Sequence, residues 1–298
     1  MTLMTATTSN RISRLIINVL FTTIAVLMVL PLVLTVSISL TSEQALISYG
    51  YQFIPTEFST VAYEVVFEDP APLLRAYTVT IFATAVGTTG AVLLSTMLAY
   101  VVSRPDYRYR RIVTWIVFFT MLFSGGLVPY YILITQYLNL TNTIWALIIP
   151  LLTPPFMVLI MKGFLSSMIP LELIESAKLD GASEWRIFFR IIMPISKPAI
   201  ATITILIAFM YWNDYIHGLL FIRDPHLVPL QLFLYRILDS IQFLQQNIDL
   251  LGIIDEYQEF PTLSVRMAMA ILVMGPILFV FPFVQKHFVK GLLIGSFK

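Results

Sequence analysis

ESAKLDGASEWRIFFRIIMP, residues 175–194, is a charged, turn-bearing stretch inside a chain that is otherwise mostly apolar. Pro170 suits the first turn of a short helix over Leu171 to Asp180, because a helix makes no use of the N–H that proline lacks there. Gly181 follows, where a left-handed turn costs little without a Cβ. On this first helix Glu172 and Glu175 fall three apart, and Ala177 with Gly181 offers a small-residue surface for close backbone approach. A second helix begins near Ser183, sets Trp185, Phe188, Phe189 and Ile192 on one face, and is expected to stop at Pro194. The stretch reads as two short helices, one anchored to a bundle and the charged first one offered to a soluble partner. An amphipathic linker held by local ion pairs is the plain alternative.

The surrounding composition decides what kind of bundle this is. The 298 residues are 58% hydrophobic and 12% charged, with a mean hydropathy of +0.86. Those values exclude an ordinary soluble domain and predict an all-α polytopic membrane protein. Six segments, near 15–38, 73–102, 112–135, 142–161, 198–221 and 267–285, are long and apolar enough to cross a bilayer. Internal prolines at Pro31, Pro129, Pro150, Pro154 and Pro276 are compatible with this, since bundle neighbours satisfy the freed backbone groups. The first segment has no small-residue cleavage site after it and is expected to be retained, so residues 1–14 form a tail, with 1–10 irregular, and 15–298 the membrane domain.

Charge gives the orientation. Arg11 and Arg14 precede the first span; Arg104, Arg108, Arg110 and Arg111 join the second and third. Lys162, Lys178, Arg186, Arg190 and Lys197 fall between the fourth and fifth, and Lys286, Lys290 and Lys298 follow the sixth. These alternate segments hold most of the 18 basic residues, which by the positive-inside rule places both termini and the connection at about 165–197 in the cytoplasm. The arginines at 104–111 need no role beyond orientation and attraction to lipid headgroups. The opposite loops are acidic: residues 39–72 carry Glu43, Glu57, Glu64, Glu68 and Asp69 without a Lys or Arg. YGYQFIPTEFS at 49–59 supplies interfacial aromatics, and HLVPLQLFLYRILDSIQFL at 226–244 reads as an amphipathic helix at the outer face. Merging the third and fourth spans would invert the second half.

Several chemistries are excluded or unsupported. With no cysteine there is no disulfide, thiol nucleophile or thiolate metal site. The net charge of +1 gives no footing for nucleic acid. His217, His226 and His287 are scattered, and no Gly-rich loop ending in Lys-Ser or Lys-Thr is present. VGTTG at 86–90 suits close helix packing instead, so any ATP and Mg would be handled by another subunit and no cofactor is expected in this chain.

The most polar patch within or beside a span is Trp212, Asn213, Asp214, Tyr215 and His217. A carboxylate at membrane depth is costly unless it faces water, a pore or a partner, which makes Asp214 a candidate functional residue. Aromatic rings and amides together suit a neutral sugar, so Trp212, Asn213, Asp214 and Tyr215 are candidate pathway residues, with an interfacial anchor as the alternative. His217 reads as a satisfied imidazole rather than a proton relay. Tyr130, Tyr131 and Met121 read as packing residues in preference to pore wall, and Gln136, Asn139, Asn142 and Trp145 suit either a hydrogen-bonded hairpin turn or contact with substrate or a binding protein.

The spacing Glu175-Ser176-Ala177, Gly181, Ile191, Pro194 resembles the EAA loop of ABC-importer permeases, with Ser176 and Met193 as departures. GGLVPYYILITQYLNLTNTIWALIIP at 125–150, WNDYIHGLLFIRDPHLVPLQ at 212–231 and VQKHFVKGLLIGSFK at 284–298 resemble carbohydrate-type permeases, including the second membrane subunit of the maltose importer and the Gram-positive complex-oligosaccharide branch. The resemblance implies the type I importer permease fold and a multi-pass place in a bacterial plasma membrane. Its implied partners are an ABC ATPase, a second permease, an extracytoplasmic solute-binding protein, membrane lipids and an oligosaccharide substrate. It implies that Glu175, Ala177, Lys178, Asp180, Gly181 and Pro194 belong to the surface that couples to the ATPase. An ion-coupled secondary transporter predicts broken helices in both halves as an inverted repeat, and a membrane enzyme rests on Asp214 with His217 alone; both stay open as alternatives, as does an ABC-importer permease for a different solute.

Overall fold

The computed structural model describes residues 3–246 and 261–296. Fifteen helices are named in chain order: α1 Leu3–Ser39, α2 Glu43–Tyr49, α3 Val61–Glu68, α4 Pro70–Ser103, α5 Arg110–Leu122, α6 Leu127–Ile132, α7 Trp145–Ile148, α8 Pro155–Met168, α9 Leu171–Leu179, α10 Glu184–Ile187, α11 Met193–Ile195, α12 Lys197–Trp212, α13 Ile216–Phe221, α14 Leu230–Gln246 and α15 Thr262–Ser296. Among the described residues the sole strand-type pairing is an isolated bridge between Thr41 and Phe58.

Three helical stretches, Ser13–Ser39, Pro70–Ser103 and Thr262–Phe279, are each long and apolar enough to cross a bilayer unbroken. The other three expected spans are interrupted. The third bends by 112° between α5 and Leu127–Tyr137, and the fourth by 44° between Trp145–Leu151 and Pro155–Met168. The first of these breaks falls at Ser124-Gly125-Gly126, where Gly126 has a φ of +88° that only a glycine adopts freely. The second falls at Pro154-Pro155, since proline removes a donor and disfavours helix in the residue before it. Lys162, counted with the loop charges, lies inside α8 and donates to Thr114 Oγ1 at 3.0 Å. The expected fifth span, 198–221, is two helices, α12 and α13, separated at Asn213–Tyr215. Continuous spans were expected there because hydropathy averages over a window and does not register a two- or three-residue break. The segment 3–10, expected to be irregular, is helical from Leu3, an extension of a helix already nucleated by its apolar run.

The chain forms two compact units, one of residues 1–70 with 237–275 and one of 71–236 with 276–298. In the first, α1 exposes its apolar side chains from Leu15 to Val33, a surface for lipid or another chain. Ser39 Oγ and Tyr63 OH are 2.9 Å apart, and Ser37 Oγ donates to the Gln52 carbonyl at 2.7 Å, tying α3 and the 50–60 segment to the end of α1. Glu43, one of the carboxylates of the acidic 39–72 connection, is buried. It accepts bonds from Thr262 Oγ1 at 2.9 Å, Leu263 N at 2.9 Å and Ser264 N at 3.2 Å. A carboxylate is stable there because the first N–H groups of α15 have no partner within their own helix.

In the second unit α4 is the central helix. Its buried face, Ala76, Ala83, Gly87, Ala91, Ser95 and Ala99, is a run of small residues that lets neighbouring helices approach. A Cβ on Gly87 would lie 2.4 Å from the Tyr211 ring, which accounts for the glycine expected to serve helix packing. One core joins α4, α8, α9, α10 and α12 through Val158, Met161, Ile174, Ala177, Ile187 and Ile203. A second gathers Val79, Ala83, Ile134, Leu147, Phe221 and Leu232 around α7, α13 and the start of α14. The side chains of Lys286 and Lys290, all of Lys298, and the acidic residues Asp249, Asp255, Glu256 and Glu259 lie outside what the structure describes.

A candidate coupling surface and a polar break in the membrane domain

Helix α9 is built as the spacing predicts. Glu172 stands in its first turn and Lys178 in its last, each complementing the helix dipole. Gly181 has φ +76°; its N–H donates to the Lys178 carbonyl at 3.0 Å, and Ala182 N–H to the Ala177 carbonyl at 3.0 Å. This pair of bonds is the Schellman closure of a helix. A Cβ on Gly181 would meet nothing within 4 Å, so within this chain the glycine answers to its backbone angle and not to crowding. Ser183 caps the next helix, accepting from Arg186 N at 3.3 Å.

Two faces result. Ile174 and Ala177 enter the bundle core beside α4 and α8, while Glu175, Lys178, Asp180 and Gly181 are exposed. Leu179 is 89% exposed, an apolar side chain in the last turn of α9 that the charge pattern of the sequence did not single out. The second helix departs from expectation. Ile187, Phe188 and Ile192 are buried, whereas Trp185 and Phe189 are exposed and stack on each other with centroids 6.0 Å apart. A π turn at Phe188–Ile192 shifts the register that a 3.6-residue period assumes. Pro194 does not stop the helix; it sits exposed in α11, and the chain turns through 83° only after Ile195. The wider π turn before it eases the clash between the proline ring and the carbonyl four residues earlier that an uninterrupted α-helix would impose.

Arg104 corrects the expectation that the arginines of the α4–α5 connection only orient the chain. Its side chain is buried and forms ion pairs with both Asp106 and Glu184, the Asp106 pair being bidentate. Tyr100 OH lies 3.2 Å from Arg104 Nη1 and 3.3 Å from Glu184 Oε2. Lys178 Nζ completes the cluster at 3.3 Å from Asp106 Oδ2 and 3.1 Å from Glu184 Oε1. Hydrogen bonding from Arg104 holds the Asp106 carboxyl down to about 2, and Asp106 in turn raises the Arg104 guanidinium. Burial alone would push Glu184 up, but hydrogen bonds and charge from Lys178 and Arg104 hold it below the usual range. The cluster borders a cleft of about 520 Å³ with Met97, Tyr107 and Trp185 on its walls. An Arg followed two residues later by Asp, and a Glu just after the α9 turn, were the available signs; no local period links positions 80 residues apart.

The candidate pathway residues surround the α12–α13 break. Trp212 is buried at the end of α12. Asn213 is exposed, its Nδ2 donating to the Phe209 carbonyl at 2.9 Å and its Oδ1 accepting from Gln231 at 3.2 Å. Tyr215 is exposed and stacks on Tyr235 at 5.7 Å. Asp214 turns inward, accepting from His217 N at 3.2 Å and contacting His217 Nδ1 at 2.8 Å. His217 Nε2 lies 2.7 Å from Tyr130 OH, so a neutral imidazole protonated on Nδ1 satisfies both partners. Asn142, in the turn after the third span with φ +61°, accepts at Oδ1 from Arg223 N and Asp224 N at 3.0 and 2.7 Å and so ties that turn to the end of α13. Among the described residues no three His, Asp or Glu side chains converge as metal ligands do.

A bent-span helical bundle with a packed, exposed-tipped loop matches a known architecture. Residues 91–294 match the family model of the binding-protein-dependent transport system inner membrane component. The chain belongs to that family. It is 36% identical over 97% of its length to the polygalacturonan/rhamnogalacturonan transport system permease protein YtcP of Bacillus subtilis strain 168, covering 99% of that protein. It is 38% identical to protein LplC of the same organism, over 94% of this chain and 93% of that one. Among solved structures, a bacterial ABC transporter involved in the import of the acidic polysaccharide alginate superposes with a TM-score of 0.79 and 28% identity, over 94% of this chain and 98% of that one. The chain is therefore a permease of the type I ABC importer fold, a non-catalytic inner membrane component. The secondary-transporter and membrane-enzyme alternatives fall away with this assignment.

Proposed function

We propose that this permease forms half of the pathway of an ATP-driven oligosaccharide importer and receives its driving motion through α9. The observation that carries the reading is the double character of α9: Ile174 and Ala177 sit in the bundle core while Glu175, Leu179, Asp180 and Gly181 stand exposed at its tip. A helix fixed on one side and open on the other transmits a push. A separate ATPase subunit, holding ATP and Mg, receives this tip in a groove, with Leu179 as the apolar contact and Glu175 and Asp180 meeting basic or amide groups. Ala177 seats the helix on the bundle, Lys178 fixes its end through Asp106 and Glu184, and Pro194 lies at the far limit of the same loop. Basic residues concentrated in alternate connections support a cytoplasmic position for this loop and for both termini in the bacterial plasma membrane.

A second, non-identical permease closes the pathway, and an extracytoplasmic solute-binding protein delivers the sugar. The names of YtcP and of the alginate importer support an oligosaccharide as the cargo. Trp212, Asn213, Asp214 and Tyr215 mark the passage: Asn213 and Tyr215 offer an amide and an aromatic ring to the sugar, while Trp212 and Asp214 hold the break in shape. Closure of the ATPase dimer moves the two coupling helices, and the membrane helices reorient around the sugar. The test is purification of the tagged chain in mild detergent, followed by sugar uptake in proteoliposomes. Recovery of an ATPase and a second permease, with ATP-dependent uptake, is expected. A chain recovered alone that supports ATP-independent uptake would refute the reading.

A further inference from the structure

We propose that Arg104 is a positioning residue that relays movement of the α9 tip into α4, by binding the residues on both sides of the Gly181 turn to the end of that helix. The proposal rests on the reading that α9 meets an ATPase. Lys178 precedes the turn and Glu184 follows it, and both are bonded to the same short connection, residues 104–106. Arg104 directly follows Ser103, the last residue of α4. Tyr100, one turn earlier, contacts both Arg104 and Glu184 and packs against Phe188 of the second loop helix at 5.7 Å. The turn is thus held at three points by one end of one long helix.

Two physical features make this a relay and not only an anchor. Apolar contacts such as those of Ile174 and Ala177 have no direction and allow sliding, whereas the Arg104 guanidinium, held in one orientation by its bidentate pair with Asp106 on the same connection, presents Nη1 to Glu184 in a directed, charge-assisted bond. Arg104 is also buried, so its bond to Glu184 is less screened than a surface pair, and Lys178 adds a second charged tie from the other side of the turn to Asp106; the turn and the α4 end move together because separating them breaks both. Lysine has no planar fork with which to serve both carboxylates at once. The middle of α4 lies against Tyr211 at Gly87 and Leu152 at Gly90, so displacement of its end is passed to α12 and the α7–α8 break.

The natural chain has no cysteine, which makes it a clean background for the test. Wild type, Arg104→Lys and Glu184→Gln are assembled with the ATPase, the second permease and the binding protein in proteoliposomes. Assembly is expected to be unchanged, while uptake falls about tenfold and ATP hydrolysis stimulated by the loaded binding protein falls less than about twofold. The ATP consumed per sugar therefore rises. Arg104→Cys with Glu184→Cys, joined by a short bis-maleimide, is expected to regain at least half of wild-type uptake, whereas Arg104→Cys alone treated with the same reagent is not. An unchanged ATP-to-sugar ratio in properly assembled variants, or a cross-linked pair as inactive as the unlinked one, overturns the role of Arg104 alone. Failure of the wild-type chain to recover an ATPase overturns the docking reading and this proposal together.

Discussion

Tyr130 and His217 join the third and fifth spans, two of the three that are broken. The phenol lies 2.7 Å from Nε2, and Nδ1 of the same ring lies 2.8 Å from the Asp214 carboxylate. Tyr130 belongs to α6, just past the Gly126 break, and Asp214 to the α12–α13 break, so one imidazole sets the relative position of both interruptions. His217→Ala strands a phenol and a carboxylate that are shielded from water, at a cost of about 1–3 kcal/mol. The expected result is a lower thermal midpoint of the detergent-solubilised protein and reduced uptake. Tyr130→Phe, which leaves the His–Asp bond intact, should lose about 1 kcal/mol. Equal midpoints for the two variants would show that the imidazole does not bridge the breaks.

Gly181 separates backbone need from packing need. Its φ of +76° costs an L-residue about 1–2 kcal/mol, while the empty space around its Cβ position adds no clash. Gly181→Asn, which tolerates the left-handed region, is therefore expected to be milder than Gly181→Val. The order is read from thermal midpoints of the isolated chain. The same variants in the assembled transporter report on docking, where a partner surface is expected to make even Gly181→Asn lower ATPase recovery. If Asn and Val lower the midpoint equally, the angle is not the constraint.

These two sites show what was legible in the sequence. The α9 turn was readable because Pro170, Gly181 and Ser183 act through local backbone preferences, which the sequence carries directly. The six apolar segments were readable because side-chain hydropathy is carried by consecutive residues, as was the polarity of Trp212 to His217. What escaped were relations between distant segments. Arg104 looked like one of four loop arginines until Glu184, 80 positions away, was found against it. Trp185 and Phe189 were assigned to the buried face because a 3.6-residue period takes no account of a π turn. The breaks at Gly126 and Asn213 were masked by the apolar residues flanking them.

The charge cluster has a defined pH dependence. Arg104 hydrogen bonding holds Asp106 at about 2, below its usual 3.8, so its folded form favours the ionised carboxylate. A lowered acid contributes stability that is complete above the unfolded value and is lost as pH falls through the folded one. The difference in stability between wild type and Asp106→Asn is therefore expected to be constant from pH 8 to about 5, to shrink below about 4, and to close near pH 2. Because the Asp106 side chain is 43% exposed, solvent screening keeps that difference under about 1 kcal/mol. Thermal unfolding across this range checks it, and a difference that grows on acidification contradicts the pairing.

Gly87 tests the close approach of α4 and α12. An added methyl would overlap the Tyr211 ring at 2.4 Å, and that ring cannot withdraw freely because its OH donates to the Ile148 carbonyl at 2.8 Å. Gly87→Ala is expected to destabilise by about 1–3 kcal/mol through overpacking. Tyr211→Phe loses only the hydrogen bond, about 1 kcal/mol. Combining Gly87→Ala with Tyr211→Leu, which removes the obstructing ring, should be less damaging than the sum of the two single changes. Strict additivity in a double-mutant cycle of thermal midpoints would mean that the two residues do not meet.

Glu43 makes the corresponding case in the other unit. Its carboxylate is buried and accepts from Thr262 Oγ1, Leu263 N, Ser264 N and Ser264 Oγ, at 2.9 to 3.2 Å, fastening α2 to the first turn of α15. Glu43→Gln keeps an acceptor oxygen but brings an amide NH₂ towards groups that already donate, so it is expected to cost about 1–3 kcal/mol. Glu43→Ala leaves all four donors without that partner and should cost more. Hydrogen exchange locates the effect better than a global midpoint does, because a local opening exposes specific amides. Faster exchange is expected at Leu263 and Ser264 in both variants, with the middle of α4 unchanged. Protection of those two amides as strong as in wild type would mean that the carboxylate does not hold the helix end.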